Sequence, residues 1–380
     1  MRALLEQHYA HIFEPNLLEE IAKAGILKEV SEGEKTVDVH GHHSTPANFR
    51  AYAYNLIALR TPVGSGLEIP EGPMQQAQER HLGLLDERGV DVQFISPRPV
   101  AMMHWEQPAL VEHWTMTTND VIHQTCELHP DRFRGIAQLP QVGVDYATDT
   151  KGCVAEFERS VNGLGFIGAL VNPDPAGDRR APGMNDAYWF PIYEASINLK
   201  APLIIHASIS KDPRITILPH NYQYNFMTEQ ALATQLLEHS DVFERYPDLR
   251  IVVCHCGGAL SRFIPRAQSS GIAGGGQVGI GGTAAPPHED EQRTWANNLF
   301  FDPCAYDVDY MATAIKHKGV DQMLFGSESP GSGTGVLNPD TGRPSDDLMP
   351  VVDSIEFLTK DDKKKIFRHN ALKVFPLYKD

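Results

Sequence analysis

Positive charge is in short supply in this chain: 33 Lys and Arg stand against 49 Asp and Glu, a formal net charge of −16. Such a balance repels polyanions, which argues against nucleic acid and anionic membrane surfaces as partners. A small anion is still admissible, because a few local arginines suffice to bind one. Cysteine is scarce too, with five in all (Cys126, Cys153, Cys254, Cys256 and Cys304). They form no even framework, so a reducing cytoplasm is expected. Cys254-His255-Cys256 has no second cysteine pair at zinc-finger spacing, and a buried strand filled by small residues is the stronger reading of it. Long apolar runs are missing as well. The first thirty residues are charged and lack a signal-peptide core, and no stretch is long enough to span a bilayer.

What remains is ordinary for an enzyme. The 42% hydrophobic content suffices for a sizeable core, while 22% charged residues with 31 Gly and 27 Pro fit a loop-rich α/β fold. A length of 380 residues suits one barrel with insertions or two medium domains.

The most informative stretch is His40-Gly41-His42, directly after Val37-Asp38-Val39. The valines read as a buried strand, and imidazoles two residues apart then project from one side of its end. Neutral imidazole nitrogens suit Zn²⁺, Mn²⁺ or Fe²⁺, and a rigid strand presents the pair without loop entropy. Alone, His-X-His is weak evidence. Three later apolar runs add to it: Ala201–His206, Leu249–His255 and Gln322–Glu328 each end in an ionisable side chain. Each run is too short for a helix and apolar on both faces, as parallel strands are. In a (β/α)₈ barrel the C-terminal strand ends carry the active site. Four strand ends offering histidines and a glutamate are the ingredients of an open metal site. A hydrogen-bonded core histidine is the better explanation of any one histidine alone, but a much poorer one of the set.

Further runs alternate with helical stretches: Val90–Ser96, Phe133–Leu139, Phe166–Asn172 after a Cys153–Gly163 helix, and Leu299–Asp302. The alternation predicts a closed parallel (β/α)₈ TIM-type barrel over 37–380, preceded by an N-terminal arm over 1–36 with a helix near Asn16–Gly25. Arg60–Pro73 reads as a loop at the mouth, and a glycine-rich insertion at about 271–294 as a flexible segment.

Asp38–His42, Ile205–Ser208, Cys254–Ala259 and Phe325–Glu328 together resemble the amidohydrolase superfamily. Within it they are similar to the branch of metal-dependent decarboxylases, hydratases and C–C hydrolases that act on aromatic-degradation intermediates. Ile95–Pro99 and Leu170–Pro175 share the resemblance, which runs from about Val37 to the C-terminus. Gly326–Gly331 and Asn338–Gly342 look most like the C–C hydrolases of lignin biaryl catabolism and the 4-oxalomesaconate hydratases. Decarboxylases of the branch generally carry Asp where this chain has Glu328, which weighs against decarboxylation.

The resemblance implies that His40, His42 and His206 bind one divalent ion, zinc before manganese or iron. Glu328 would be the remaining ligand or a base beside it, and His255 the general acid/base. Arg98 is placed to fork a substrate carboxylate, or else is a surface Arg in a turn. His43 should point away from His42 into a second layer or the surface, unless a kink makes it a ligand for a second metal. His104 either lines the pocket or is a partly buried loop histidine. Asp302 hydrogen-bonds His255 or a pocket water, or caps a turn. Asn172 and Tyr306 are further substrate-pocket candidates, and His220–Tyr224 reads as a loop able to cover substrate.

Three functions follow. The favoured one is a metal-dependent hydrolase or lyase, a C–C hydrolase or hydratase of a carboxylated unsaturated keto acid. The second is a dinuclear iron or manganese oxygenase using His43 and His104. The third is a non-catalytic metal-binding subunit of a heteromer. A homo-oligomer is expected, with a heteromer formed with a paralogue as the alternative.

Overall fold

The structure, a computed structural model, describes residues 33–64, 66–143, 150–219, 221–259, 298–339 and 341–379. Seven parallel strands pair in chain order: β1 (Val37–His42), β2 (Val92–Ser96), β3 (Phe133–Gln138), β4 (Gly168–Val171), β5 (Leu203–Ile205), β6 (Ile251–Val253) and β7 (Leu299–Phe301). Between β1 and β2 run α1 (Ala47–Leu59) and α2 (Glu71–Glu87). The later crossovers carry α3 (Pro108–Leu128), α4 (Lys151–Leu164), α5 (Phe190–Leu199), α6 (Asn221–Glu238) and α7 (Val308–Lys318).

The strands are aliphatic on both faces because both faces are covered. Val39, Phe94, Ile136, Leu170, Ile204, Val252, Phe300 and Leu324 fill one buried cluster with Phe375 and Tyr378 from the C-terminal segment. Their chain neighbours Ile95, Ala137, Val171, Ile205, Val253, Phe301 and Phe325 enter a second cluster with helix residues such as Ile122, Phe157, Leu237 and Ile315. That alternation is the period of two expected of a pleated strand, one set inside the barrel and the other under the helices.

Met323–Phe325 supplies the eighth stave. Met323 bridges Phe301 in parallel, Leu324 N–H donates to Phe301 O (2.8 Å), and Val39 N–H donates to Phe325 O (2.9 Å), joining β7 to β1. The fold is therefore a (β/α)₈ barrel. The strand expected over Gln322–Glu328 is shorter than its apolar run. Phe325 N–H is taken by Ile366 O (2.8 Å), and the chain then turns, with Glu328 at a φ of 61°. Of the loop expected over His220–Tyr224, Asn221 to Tyr224 instead form the first turn of α6, and His220 lies outside the described residues. The expected N-terminal arm (but for 33–36) and the glycine-rich insertion lie outside the described residues. Among the described residues, no helix is long and apolar enough to cross a membrane.

Candidate metal centre

β1 ends in a bulge. From Asp38 to Gly41 it advances three residues while β2 advances two, from Gln93 to Ile95. One extra residue reverses the alternation of side chains. Odd-numbered Val37 and Val39 therefore face the barrel interior, and even-numbered His40 and His42 do as well. At the bulge Gly41 leaves room for the buried Gln93 carboxamide, since a Cβ there would lie 2.1 Å from Gln93 Cδ and displace it. His206 follows β5 directly, His255 follows β6 with a φ of 54°, and Glu328 follows the eighth stave.

Ligand atoms of His40, His42, His206 and Glu328 all lie within 4.8 Å of one another, and all four residues are buried. His255 joins the cluster: its ring centroid is 5.1 Å from that of His40 and 4.9 Å from that of His206. Four imidazole Nε2 atoms, of His40, His42, His206 and His255, are buried with no hydrogen-bond partner. Glu328 Oε1 faces three of them, at 3.9 Å (His42), 3.7 Å (His206) and 3.4 Å (His255). An unpaired buried nitrogen is costly, so four of them, three within 4 Å of one carboxylate oxygen, mark a place for a cation.

The opposite ring edges are all held. His40 Nδ1 donates to Asp302 Oδ2 (2.9 Å), and His206 Nδ1 to the carbonyl of Ala207 (2.8 Å). His42 Nδ1 donates to Ser96 Oγ (3.0 Å), whose own proton goes to Gly41 O. His255 Nδ1 meets the Gln230 carboxamide at 3.0–3.1 Å. A proton held at Nδ1 leaves the Nε2 lone pair free for a metal, as metal-binding histidines require. Tyr306 Oη (2.7 Å) and Ser332 Oγ (3.0 Å) donate to Glu328 Oε2, which turns Oε1 towards the imidazoles.

Electrostatics agree with this arrangement. Burial pushes His42 down to about 3 and His206 down to about 4, so both rings are neutral at physiological pH. His40 is also opposed by burial, but the Asp302 carboxylate outweighs it and raises the ring above its ordinary value. Burial disfavours the Glu328 carboxylate, yet His255, His206 and His42 overcome that and hold it well below the usual range. Glu328 is an anion here, suited to a cation and unsuited to donating a proton.

The other expected site residues divide. Tyr306 reaches the centre through Glu328. Asp302 has its oxygens occupied by His40 Nδ1 and by the backbone N–H groups of His255 and Cys304 (both 2.9 Å), so it touches the His255 backbone and not its ring. Asn172 donates to His206 O (2.6 Å) and so fixes the chain behind that ligand candidate. Arg98 donates to Pro330 O (3.0 Å) at the barrel mouth. His43 pairs through Nε2 with Thr125 Oγ1 (2.7 Å) and His104 through Nε2 with Leu139 O (3.1 Å); neither is among the grouped donor sets of the described residues. The other two such sets, His40 with His255 and Cys304, and His40 with Cys254 and Asp302, both reuse His40. Beside the centre, a cavity of about 330 Å³ is lined by His43, Arg98 and the apolar Phe49, Met103, Trp105 and Trp114, among others. Gln230 and Ser332 were not among the expected residues. Neither has a spacing or neighbour that singles it out in the sequence. Ser96 lay unremarked inside the Ile95–Pro99 segment.

The family model for amidohydrolases matches residues 37–377. The chain belongs to the amidohydrolase family. This amidohydrolase is 30% identical over 350 residues to the 2-keto-4-carboxy-3-hexenedioate hydratase of Sphingobium sp., covering 90% of this chain and 96% of the relative. It superposes with a TM-score of 0.75 on the crystal structure of 4-oxalomesaconate hydratase from Rhodopseudomonas palustris, at 29% identity over 90% of this chain and 96% of that one. A dihydroxybenzoic acid decarboxylase from Polaromonas sp., solved with bound manganese, shares the fold at a TM-score of 0.64 and 21% identity, covering 91% and 98% of the two chains. With the family, the relatives and the donor cluster together, this amidohydrolase is a metal-dependent enzyme.

Proposed function

We propose that the enzyme is a hydratase that adds water across the C=C bond of a carboxylated, unsaturated keto acid. The observation that carries this reading is the pairing of the four-donor cluster of His40, His42, His206 and Glu328 with a fourth imidazole outside that cluster, His255, whose Nε2 is open 3.4 Å from Glu328 Oε1. Identity of 30% to a hydratase over most of both chains supports it.

His40, His42, His206 and Glu328 would hold one divalent ion, zinc by our assignment, which when bound supplies Lewis acidity to a carbonyl oxygen and acidifies water. His255 takes the proton from the water whose oxygen adds to the alkene carbon conjugated with the ketone. It then returns a proton to the neighbouring carbon, so that H and OH add with no other reactant. Gln230 keeps the His255 ring aimed, and Tyr306 and Ser332 keep Glu328 aimed. Arg98 binds a substrate carboxylate. That the two remaining donor sets reuse His40 supports one ion over two.

The test is turnover of an unsaturated keto acid by protein loaded only with zinc, under strict anaerobiosis and in isotope-labelled water. We expect loss of conjugated absorbance and one labelled oxygen in the product. Release of CO₂ would move the enzyme to decarboxylation, and activity only with iron or manganese plus oxygen would move it to the oxygenases. A second reading, hydrolytic C–C cleavage, is favoured by the apolar cavity with Phe49, Trp105 and Trp114, which suits a substrate bearing an aryl arm. Two products per turnover would identify it.

A further inference from the structure

Lys318, the last residue of α7, is 3% exposed, and no step of the reaction above uses it. Its ammonium lies 3.8 Å from the centroid of the Phe301 ring and donates to the carbonyl of Cys256, the residue after His255. Burial pulls Lys318 down to about 8 against the opposing charges of Cys256, Asp302 and Glu238, so it is a cation at neutral pH. A buried cation is costly to keep, and what it touches gives the reason for it.

It touches a turn of unusual backbone. His255, Cys256, Gly257 and Gly258 have successive φ values of 54°, 58°, 72° and 66°. Glycines adopt this left-handed region freely, but His255 and Cys256 carry a Cβ and are strained by it. Such a conformation persists only where its surroundings over-determine it. Here they act from two sides. Asp302 takes N–H groups: His255 N–H donates to its Oδ1 (2.9 Å) and Cys256 N–H to its carbonyl (2.8 Å). α7 takes carbonyls: Lys318 Nζ donates to Cys256 O, and Tyr310 Oη to Gly258 O. Little slack remains under the turn, since a Cβ on Gly257 would lie 2.8 Å from Phe301 Cε1 and 2.9 Å from Lys318 Nζ. The His255 ring meets α6 instead, stacked on Phe226 (centroids 5.6 Å apart, planes 22° apart) and bonded to Gln230 at Nδ1. The φ of His255 sets the direction of its Cα–Cβ bond. Relaxation of the turn to negative φ therefore carries the ring off Gln230 and its Nε2 away from Glu328 Oε1.

We propose that Lys318 is a positioning residue of the reaction: with Tyr310 it clamps the left-handed turn from α7 and so aims the His255 imidazole at the metal centre. The inference rests on the hydratase reading for what His255 does, and on the geometry of the turn for what holds it. Lys318→Met keeps the apolar stem against Phe301 and removes the cation and its donor. Tyr310→Phe removes one hydroxyl and keeps the ring.

Two measurements on the zinc-loaded protein test the clamp. The first is the crystal structure of each variant beside the wild type, with metal content from elemental analysis. We expect zinc to stay, and His255 in Lys318→Met to leave the left-handed region with Nε2 drawn back by about 1 Å or more. The second is a kinetic cycle of Lys318→Met with His255→Asn, using oxoglutaconate as the carboxylated unsaturated keto acid. Alone, Lys318→Met should lower kcat by about a hundredfold with KM within about a factor of two, and Tyr310→Phe should lower kcat by about tenfold. In the His255→Asn background Lys318→Met should cost nothing further, because both changes act through one ring. A Lys318→Met structure with the ring in its wild-type place, or an equal fall of kcat in both backgrounds, would overturn the proposal. Should Lys318→Met not fold, Tyr310→Phe carries the same two measurements with the same deciding outcomes. The two readings fail separately. A displaced ring in a protein that hydrates no keto acid leaves the clamp standing and removes the activity. Hydration by variants whose ring is undisturbed removes the clamp alone.

Discussion

Each imidazole of the cluster has one nitrogen tied and one free, and that asymmetry separates the roles of residues that look alike in the sequence. His206→Ala removes a free Nε2 from the grouped donors, so metal content by elemental analysis should fall. His255→Asn removes an imidazole outside the group, so the metal should stay while kcat drops by about 10²–10⁴-fold. Metal loss in the His255 variant would make it a ligand and reassign the centre. Asp302→Asn tests the tied side. Its Oδ2 accepts from His40 Nδ1, and weakening that bond should cost about 10- to 100-fold in metal affinity without removing a donor. An unchanged affinity would reduce Asp302 to holding the His255 and Cys304 backbone. His40, His42, His206 and Glu328 were legible beforehand because each ends an apolar run, and a run's end is visible in one dimension. Gln230 was not, because a glutamine inside an eighteen-residue helix has no periodic signal that distinguishes it from its solvent-facing neighbours.

At the scale of elements, the strands were readable from their β-branched runs, whereas their terminations were not. The β1 bulge inserts one residue that no propensity announces, and it decides that His40 and His42 face inward together with Val37 and Val39. The eighth stave reads as a full strand but is cut to a single bridge by the competing Ile366 carbonyl, a contact far away in sequence. Just past that stave, Gly326 passes between two site residues: a Cβ there would lie 2.8 Å from His40 Cβ and 2.7 Å from Asp302 Cβ. Neither neighbour is the far end of a flexible side chain, so the stave must move. Gly326→Ala should therefore destabilise the fold by about 1–3 kcal/mol in denaturant titrations and lower metal occupancy in the folded protein. Full occupancy in a folded variant would show that the stave can shift without disturbing His40.

Over the whole molecule, a closed barrel was legible from the alternation of runs, but the number of histidines it buries as neutral rings was not, since burial is set by the packing of distant elements. Three of these rings lie outside the donor cluster. His43 on Thr125, His81 on Gln93 and His104 on Leu139 each use Nε2 in a hydrogen bond and leave Nδ1 buried and unpartnered. Protonation at Nδ1 would place a cation inside the fold, a cost that the neighbouring Asn172 side chain eases only in part at His104. Burial accordingly pushes His43 and His104 down to about 3 and His81 to about 4. The unfolded chain takes up these protons near pH 6.5, the folded one only about two or more units lower. In that window the unfolded state binds more protons, so stability rises with pH and falls on acidification. Each ring contributes upwards of about 1 kcal/mol per pH unit below 6.5, against a total stability on the order of 5–15 kcal/mol. His42 and His206 add to the effect in metal-free protein; His40, raised by Asp302, opposes it. Glu328 and Asp302, both held below their ordinary values, lose their contribution only at lower pH. Thermal unfolding followed from pH 8 to pH 4 should therefore show a Tm that begins to fall near pH 6.5 and drops steeply by pH 5, with and without metal. His104→Gln, which keeps a donor for Leu139 O and has no titrating nitrogen, should flatten part of that slope. A Tm that is level from pH 7 down to pH 4.5 would mean that these rings reach water in the native state.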